Sequence, residues 1–166
     1  MSFLKPILPL ALSAALAAAL SPAAFAATPL TTDARAALQA GIADEYRAEA
    51  FYAAVMDKFG TVRPFANIIR AERMHAAMLT DVMKTYGIEP GANPYLGSAE
   101  IAAMVPATIG EACTVGVTAE IENKDLYDGR LIPATAGYPD IKAVFEALRD
   151  ASQNAHLPAF QRCAAR

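Results

Sequence analysis

Four long stretches of this chain place apolar residues at alternating steps of three and four, and no stretch alternates apolar and polar residues as a half-buried strand does. That spacing keeps one stripe on one face of each helix, so each helix must cover its stripe with the others. The first helix is expected from about Asp33 to Phe59, with Thr32 as N-cap and Gly60 as stop. The second begins near Pro64, which suits a first turn, and ends before Gly87. The third covers about Thr108 to Asp128, and the fourth runs from near Pro139 to about Cys163. The expected class is all-α, a four-helix bundle.

Loop lengths select the topology. The connections within the first pair and within the second pair are short, so each pair is expected to be antiparallel. Residues 87–107 carry Gly87, Pro90, Gly91, Pro94, Gly97 and Pro106, and are read as irregular. About 20 residues reach ~65 Å when extended, whereas a helix of about 23 residues is only ~35 Å long. The segment can therefore return along the whole bundle as one long crossover between helices two and three.

The first 26 residues are read apart from the fold. Lys5 is their only charge, the apolar run Ile7–Leu20 follows it, and Pro22 precedes Ala24-Phe25-Ala26. This is the pattern of a secretory signal cut after Ala26, leaving a domain over residues 27–166 that is exported, periplasmic or secreted. The run is short for a membrane span, so no anchor is expected after cleavage. Without Lys5 the chain has 13 basic against 17 acidic side chains. That mild acidity offers no basic patch for nucleic acid.

The stripes contain charges where a core should be apolar. Glu45, Glu72 and Glu120 each lie in the apolar line of a different helix, and carboxylates are rarely buried unless paired or bound to metal. Glu72-x-x-His75 puts a carboxylate and an imidazole one turn apart on the same face, and His156 lies on the fourth stripe. A di-metal bundle takes Glu from two helices and Glu-x-x-His from the other two. Glu45, Glu72 with His75, Glu120 and His156 follow that order. Mixed carboxylate and imidazole donors suit iron or manganese, with zinc also compatible. Met74 and Met78 flank His75, and Met56 lies on the first stripe. Thioethers beside imidazole suit copper, although methionine is more often a core filler.

Other residues carry two readings each. Glu49 is a further ligand or the partner of an arginine. Tyr52 and Tyr127 either hydrogen-bond metal-bound carboxylates or simply pack. Cys113 lies seven residues before Glu120 and Cys163 seven after His156, so matching those two levels brings the cysteines together as a disulfide, the other reading being two free buried thiols. Pro158 either kinks the fourth helix beside His156 or marks its end.

Glu45-x-x-Ala48-x-x-x-Tyr52 followed by Ala71-Glu72-x-x-His75-Ala76 resembles the rubrerythrin-type branch of the ferritin-like superfamily. The fuller pattern resembles the bacterial and archaeal ferritin-like family catalogued as domain of unknown function 2202. It includes Asp44-Glu45-Tyr46, Pro64-Phe65-x-Asn67-Ile68, Gly116-Val117-x-x-Glu120 and Ser152-x-Asn154-x-His156-Leu157-x-Ala159-Phe160. The likeness spans about residues 33–163. It implies a ferritin-like bundle with a dinuclear centre of di-iron or di-manganese type, reacting with oxygen or peroxide. Two positions depart from the pattern: Gln153 stands where Glu is expected three residues before His156, and Asn123 stands where rubrerythrins have a second acid. The loss of negative charge leaves open a single-metal binder or a non-catalytic interaction module. The oligomeric state is not legible in the sequence.

Overall fold

The computed structural model describes residues 28–166, so the expected signal over residues 1–26 lies outside the described residues. Among them every regular element is helical. Helix α1 is Thr32–Phe59, α2 Phe65–Thr85, α3 Ala99–Ala103, α4 Ile109–Leu126, α5 Ile132–Ala134, α6 Pro139–Ala151 and α7 Leu157–Ala164. Tyr127–Leu131 joins α4 to α5, and Ser152–His156 joins α6 to α7, each as a π-helical turn that keeps the helix continuous.

Local signals account for most ends. Thr31, not Thr32, caps α1, its hydroxyl accepting from the Ala34 N–H at 3.1 Å. Gly60 closes the helix at φ 81°, a conformation that glycine adopts without a Cβ penalty. Thr108 and Glu111 form a reciprocal capping box at the start of α4.

Two boundaries depart from the sequence expectation. The third helical segment continues beyond Asp128 to Ala134, because Tyr127 and Leu131 are fully buried against the core and packing outweighs the poor helix propensity of Gly129. Residues 87–107 are not wholly irregular. Ser98 caps the short helix α3 by accepting from the Ile101 N–H at 3.2 Å, and Ile101 is buried beneath it.

Two apolar clusters divide the core. One joins the N-terminal half of α1 (Ala34, Leu38, Ile42) to the C-terminal half of α2 (Leu79, Val82, Met83) and to Tyr127, Leu131, Ile141 and Phe145. The other joins the C-terminal half of α1 (Tyr52, Val55) to the start of α2 (Phe65, Ile68, Ile69) and to Ala112, Cys113, Phe160 and Cys163. Helices α1 and α2 therefore run antiparallel. Gly41 and Gly116 let aromatic rings close on the backbone: a Cβ at Gly116 would lie 2.6 Å from the Phe160 ring, and one at Gly41 2.9 Å from Phe145. Among the described residues no helix is long and apolar enough to cross a membrane.

Cys113 and Cys163 form a disulfide, with Cα atoms 5.8 Å apart, tying α4 to α7. The matched levels of Glu120 and His156 are the register that this bond requires.

Candidate metal centre

Between the two apolar clusters lies a polar layer. Glu45 from α1, Glu72 and His75 from α2, Glu120 from α4 and His156 from the π turn are all at most 7% exposed. Each enters the core because it occupies an inward position of a largely apolar stripe. Together they supply the polar partners that buried charges require.

The five residues form two groups that share one carboxylate. Glu45, Glu72 and His75 make one, and Glu72, Glu120 and His156 the other. Within each group the ligating atoms lie within 4.8 Å of one another. Glu72 divides its oxygens between them: Oε2 is 3.1 Å from His75 Nδ1, and Oε1 is 3.3 Å from His156 Nδ1. Glu45 Oε2 is 3.2 Å from His75 Nδ1, and Glu120 Oε1 is 3.6 Å from His156 Nδ1. The imidazole rings stack with centroids 5.5 Å apart. Carboxylate oxygen with imidazole nitrogen fits a divalent transition metal, and each group is about as wide as two metal–ligand bonds of ~2.0–2.2 Å.

Further side chains hold the carboxylates. The Tyr127 hydroxyl donates to Glu45 Oε1 at 2.7 Å, and the Tyr52 hydroxyl donates to Glu120 Oε1 at 3.1 Å. Both phenols are buried, so the hydrogen-bonding reading and the packing reading of these tyrosines hold together. Ser152 donates to Glu120 Oε2 at 2.5 Å.

The electrostatics follow from burial and proximity. Burial alone would lower His75, but its hydrogen bonds with Glu45 and Glu72, and their charges, carry it up to about 9. Burial likewise opposes the His156 cation, while hydrogen bonds with Glu120 and Glu72 raise it to about 10. Burial, helped by the Glu72 charge, pushes the Glu45 carboxyl up. Glu72 is held low against its own burial by hydrogen bonds from His156 and His75. Burial first, then the adjacent carboxylates, raises Tyr52 and Tyr127 well above the usual phenol value. Without metal, the layer holds itself together by sharing protons between carboxylates and imidazoles.

The remaining expected residues lie outside the two groups. Glu49 is engaged on both oxygens, Oε1 by Arg73 at 2.8 Å and Oε2 by Asn93 at 3.0 Å, so the arginine-partner reading is the one realised. Asn123 donates to Asp44 at 2.8 Å, and its own carbonyl oxygen is buried without a partner among the described residues. Gln153 donates to the Glu120 carbonyl at 2.7 Å and to Ser152 Oγ at 2.9 Å, which holds its amide on α4 rather than in either group. The cause is the π turn, whose Leu157 N–H reaches the Ser152 carbonyl five residues back. That wider turn aligns Ser152, not Gln153, with His156. It also absorbs Pro158, which lies in the first turn of α7 without ending the helix. Ser152 was visible on the fourth stripe, four residues before His156, but nothing in its spacing set it apart from a core serine.

A cavity of about 530 Å³ opens onto the layer. Phe51 on α1, Ile101 and Met104 on the connector, and Val115 and Ala119 on α4 form apolar wall. The five candidate ligands line its inner end. The connector is fixed over it at several points: Tyr46 donates to the Gly91 carbonyl, Asn93 to the Tyr46 carbonyl, and Lys58 to the carbonyls of Val105 and Pro106.

The chain matches no family model and no curated protein. Among solved structures it is similar to a hypothetical protein from Methanococcus jannaschii DSM 2661, with 24% identity and a TM-score of 0.73 over 83% of each chain. At that identity the likeness bears on the fold alone.

Proposed function

We propose that this chain is an exported ferritin-like four-helix bundle of the rubrerythrin type whose polar layer binds two metal ions. The observation that carries the reading is the division of Glu72 between His75 and His156, which makes one carboxylate common to two sets of donors. The pairing of α1 with α2 and of α4 with α7, around a connector of some twenty residues, supports the single long crossover. The disulfide supports export, since such bonds persist in oxidising compartments.

Glu45 and His75 would hold one ion, Glu120 and His156 the other, and Glu72 would serve both. Iron or manganese suits these donors best, and a bound pair supplies redox chemistry toward oxygen or peroxide. The chain itself positions the ligands. Tyr127 and Tyr52 fix the orientation of Glu45 and Glu120, Ser152 holds the second oxygen of Glu120, and the two apolar clusters exclude bulk water above and below the layer. Ferrous oxidation or peroxide reduction is the activity proposed.

One observation favours a second reading, a mononuclear or non-catalytic binder. Gln153 and Asn123 are neutral and already engaged, so only three carboxylates serve the layer. Elemental analysis of the purified protein, together with oxygen consumption on adding ferrous iron, separates the two. About two metals per chain with turnover supports the dinuclear redox reading. One metal, or binding without turnover, moves the assignment to the second. Full metal content in Glu72→Ala refutes both.

A further inference from the structure

The cavity that ends on the layer is charged as well as apolar. Asp44 and Arg47 from α1, Glu100 from α3 and Glu122 from α4 line it along with the five candidate ligands. Beyond those ligands, three carboxylates thus face one guanidinium among the described residues. Arg47 is itself drawn to the Tyr95 ring, its guanidinium carbon 5.1 Å from the centroid.

The carboxylates lie in sequence from solvent inward. Glu100 and Glu122 are exposed, and Asp44 is half-buried. Asp44 adjoins the ligand Glu45 on α1 and accepts from Asn123 Nδ2 at 2.8 Å. Asn123 stands one turn after the ligand Glu120 on α4, so the pair lies beside the layer. The Asn123 Oδ1 atom is buried without a partner among the described residues. An acceptor left in that state is costly, and a cation is a partner for both this oxygen and the Asp44 carboxylate. Space allows one to arrive hydrated. About six waters at ~30 Å³ each fill roughly 180 Å³, against a cavity of about 530 Å³.

Resting on the reading of the layer as a metal centre, with one ion or two, we infer that this cavity is the route by which divalent cations reach it. Glu100 and Glu122 draw the ion in, Asp44 with Asn123 receives it beside the layer, and Arg47 opposes its entry. A cleft lined mainly by one sign of charge speeds association of the opposite sign, by ~10–1,000-fold at low salt. The same charges turn back anions. The substrate class that fits the route is therefore a divalent cation, the kind that ferrous oxidation consumes.

The experiment is stopped-flow uptake of cobalt(II) by the full mature chain without metal, followed by the absorption of the ligated ion. Affinity is measured on the same samples by chelator competition. Glu100→Gln with Glu122→Gln should slow association about tenfold at low salt and change affinity far less. Asp44→Asn should slow it as well, and Arg47→Gln should speed it. These differences should vanish in ~1 M salt, where charges are screened within about 3 Å. The control is Asp57→Asn with Glu146→Gln, which removes the same charge from positions outside the cavity and should leave the rate unchanged. Parental rates in the Glu100 and Glu122 double variant, or equal slowing in the control, overturn the inference and leave the metal centre standing. Protein that takes up no cobalt, or takes it up unchanged in His75→Ala with His156→Ala, refutes the metal centre itself, and the inference falls with it.

Discussion

Replacing Tyr127 by Phe removes one oxygen atom and leaves the rest of a fully buried ring in place. The hydroxyl donates to Glu45 Oε1 at 2.7 Å, while Glu45 Oε2 faces His75, so the substitution strips one partner from a carboxylate that is only 3% exposed. The ring itself packs edge-on against Phe145, with centroids 5.5 Å apart, and should stay there, so little cavity forms. A hydrogen bond to a charged group contributes about 1.5–3 kcal/mol. Loss of a residue that orients a metal ligand weakens affinity by about 10–100-fold, which is ~1.4–2.7 kcal/mol and agrees with that range. The assay is chelator competition with zinc or manganese at fixed pH. Tyr86→Phe is the control, because the Tyr86 hydroxyl reaches only the remote Asp140. Tyr127→Phe should weaken binding at least tenfold and Tyr86→Phe should not. An affinity within twofold of the parent protein would show that Glu45 needs no orienting partner or does not bind metal.

Removing the disulfide as Cys113→Ala with Cys163→Ala releases a loop of 50 residues, which the chain-entropy account values at about 4 kcal/mol. Urea unfolding should show it as a lower midpoint with metal-free protein. Gly116→Ala pushes a methyl into the Phe160 ring. The overpacking cost of ~1–3 kcal/mol exceeds the helix-propensity gain of up to ~1 kcal/mol, so the melting temperature should fall by several degrees. Gly116→Ala combined with Phe160→Leu should recover part of that loss. Metal-free protein should also show a characteristic pH dependence. His75 and His156 are raised from 6.5 to about 9 and about 10, so their stabilisation is complete below pH 6.5 and is lost as pH rises through those values. Glu45, also raised, acts in the same direction; Glu72, lowered, instead loses its contribution in acid. Thermal melts should therefore be highest in mildly acidic buffer and fall towards pH 10, whereas metal affinity should rise with pH as the ligands lose their protons.

Periodicity and composition were enough to read the all-helical class, the position of the long helices and the five inward-facing carboxylates and imidazoles. Each of these depends on where a side chain points along its own helix, which a period near 3.6 determines locally. The pairing of Cys113 with Cys163 was legible for the same reason, since both are seven residues from residues that had to meet. Other features depend on contacts between distant segments. Whether Glu49 would bind metal or Arg73 was settled by Asn93 arriving from the connector. Whether Pro158 would end its helix was settled by a π turn, which also exchanged Ser152 for Gln153 beside Glu120. The π turn costs backbone hydrogen-bond geometry, and burial of Ser152, His156 and Phe160 against three other helices offsets that cost. Local sequence thus determines which faces carry the carboxylates and imidazoles. Only the packing of those faces decides how Glu72 is shared and which neighbours complete the layer, because that choice rests on distances between helices far apart in the chain.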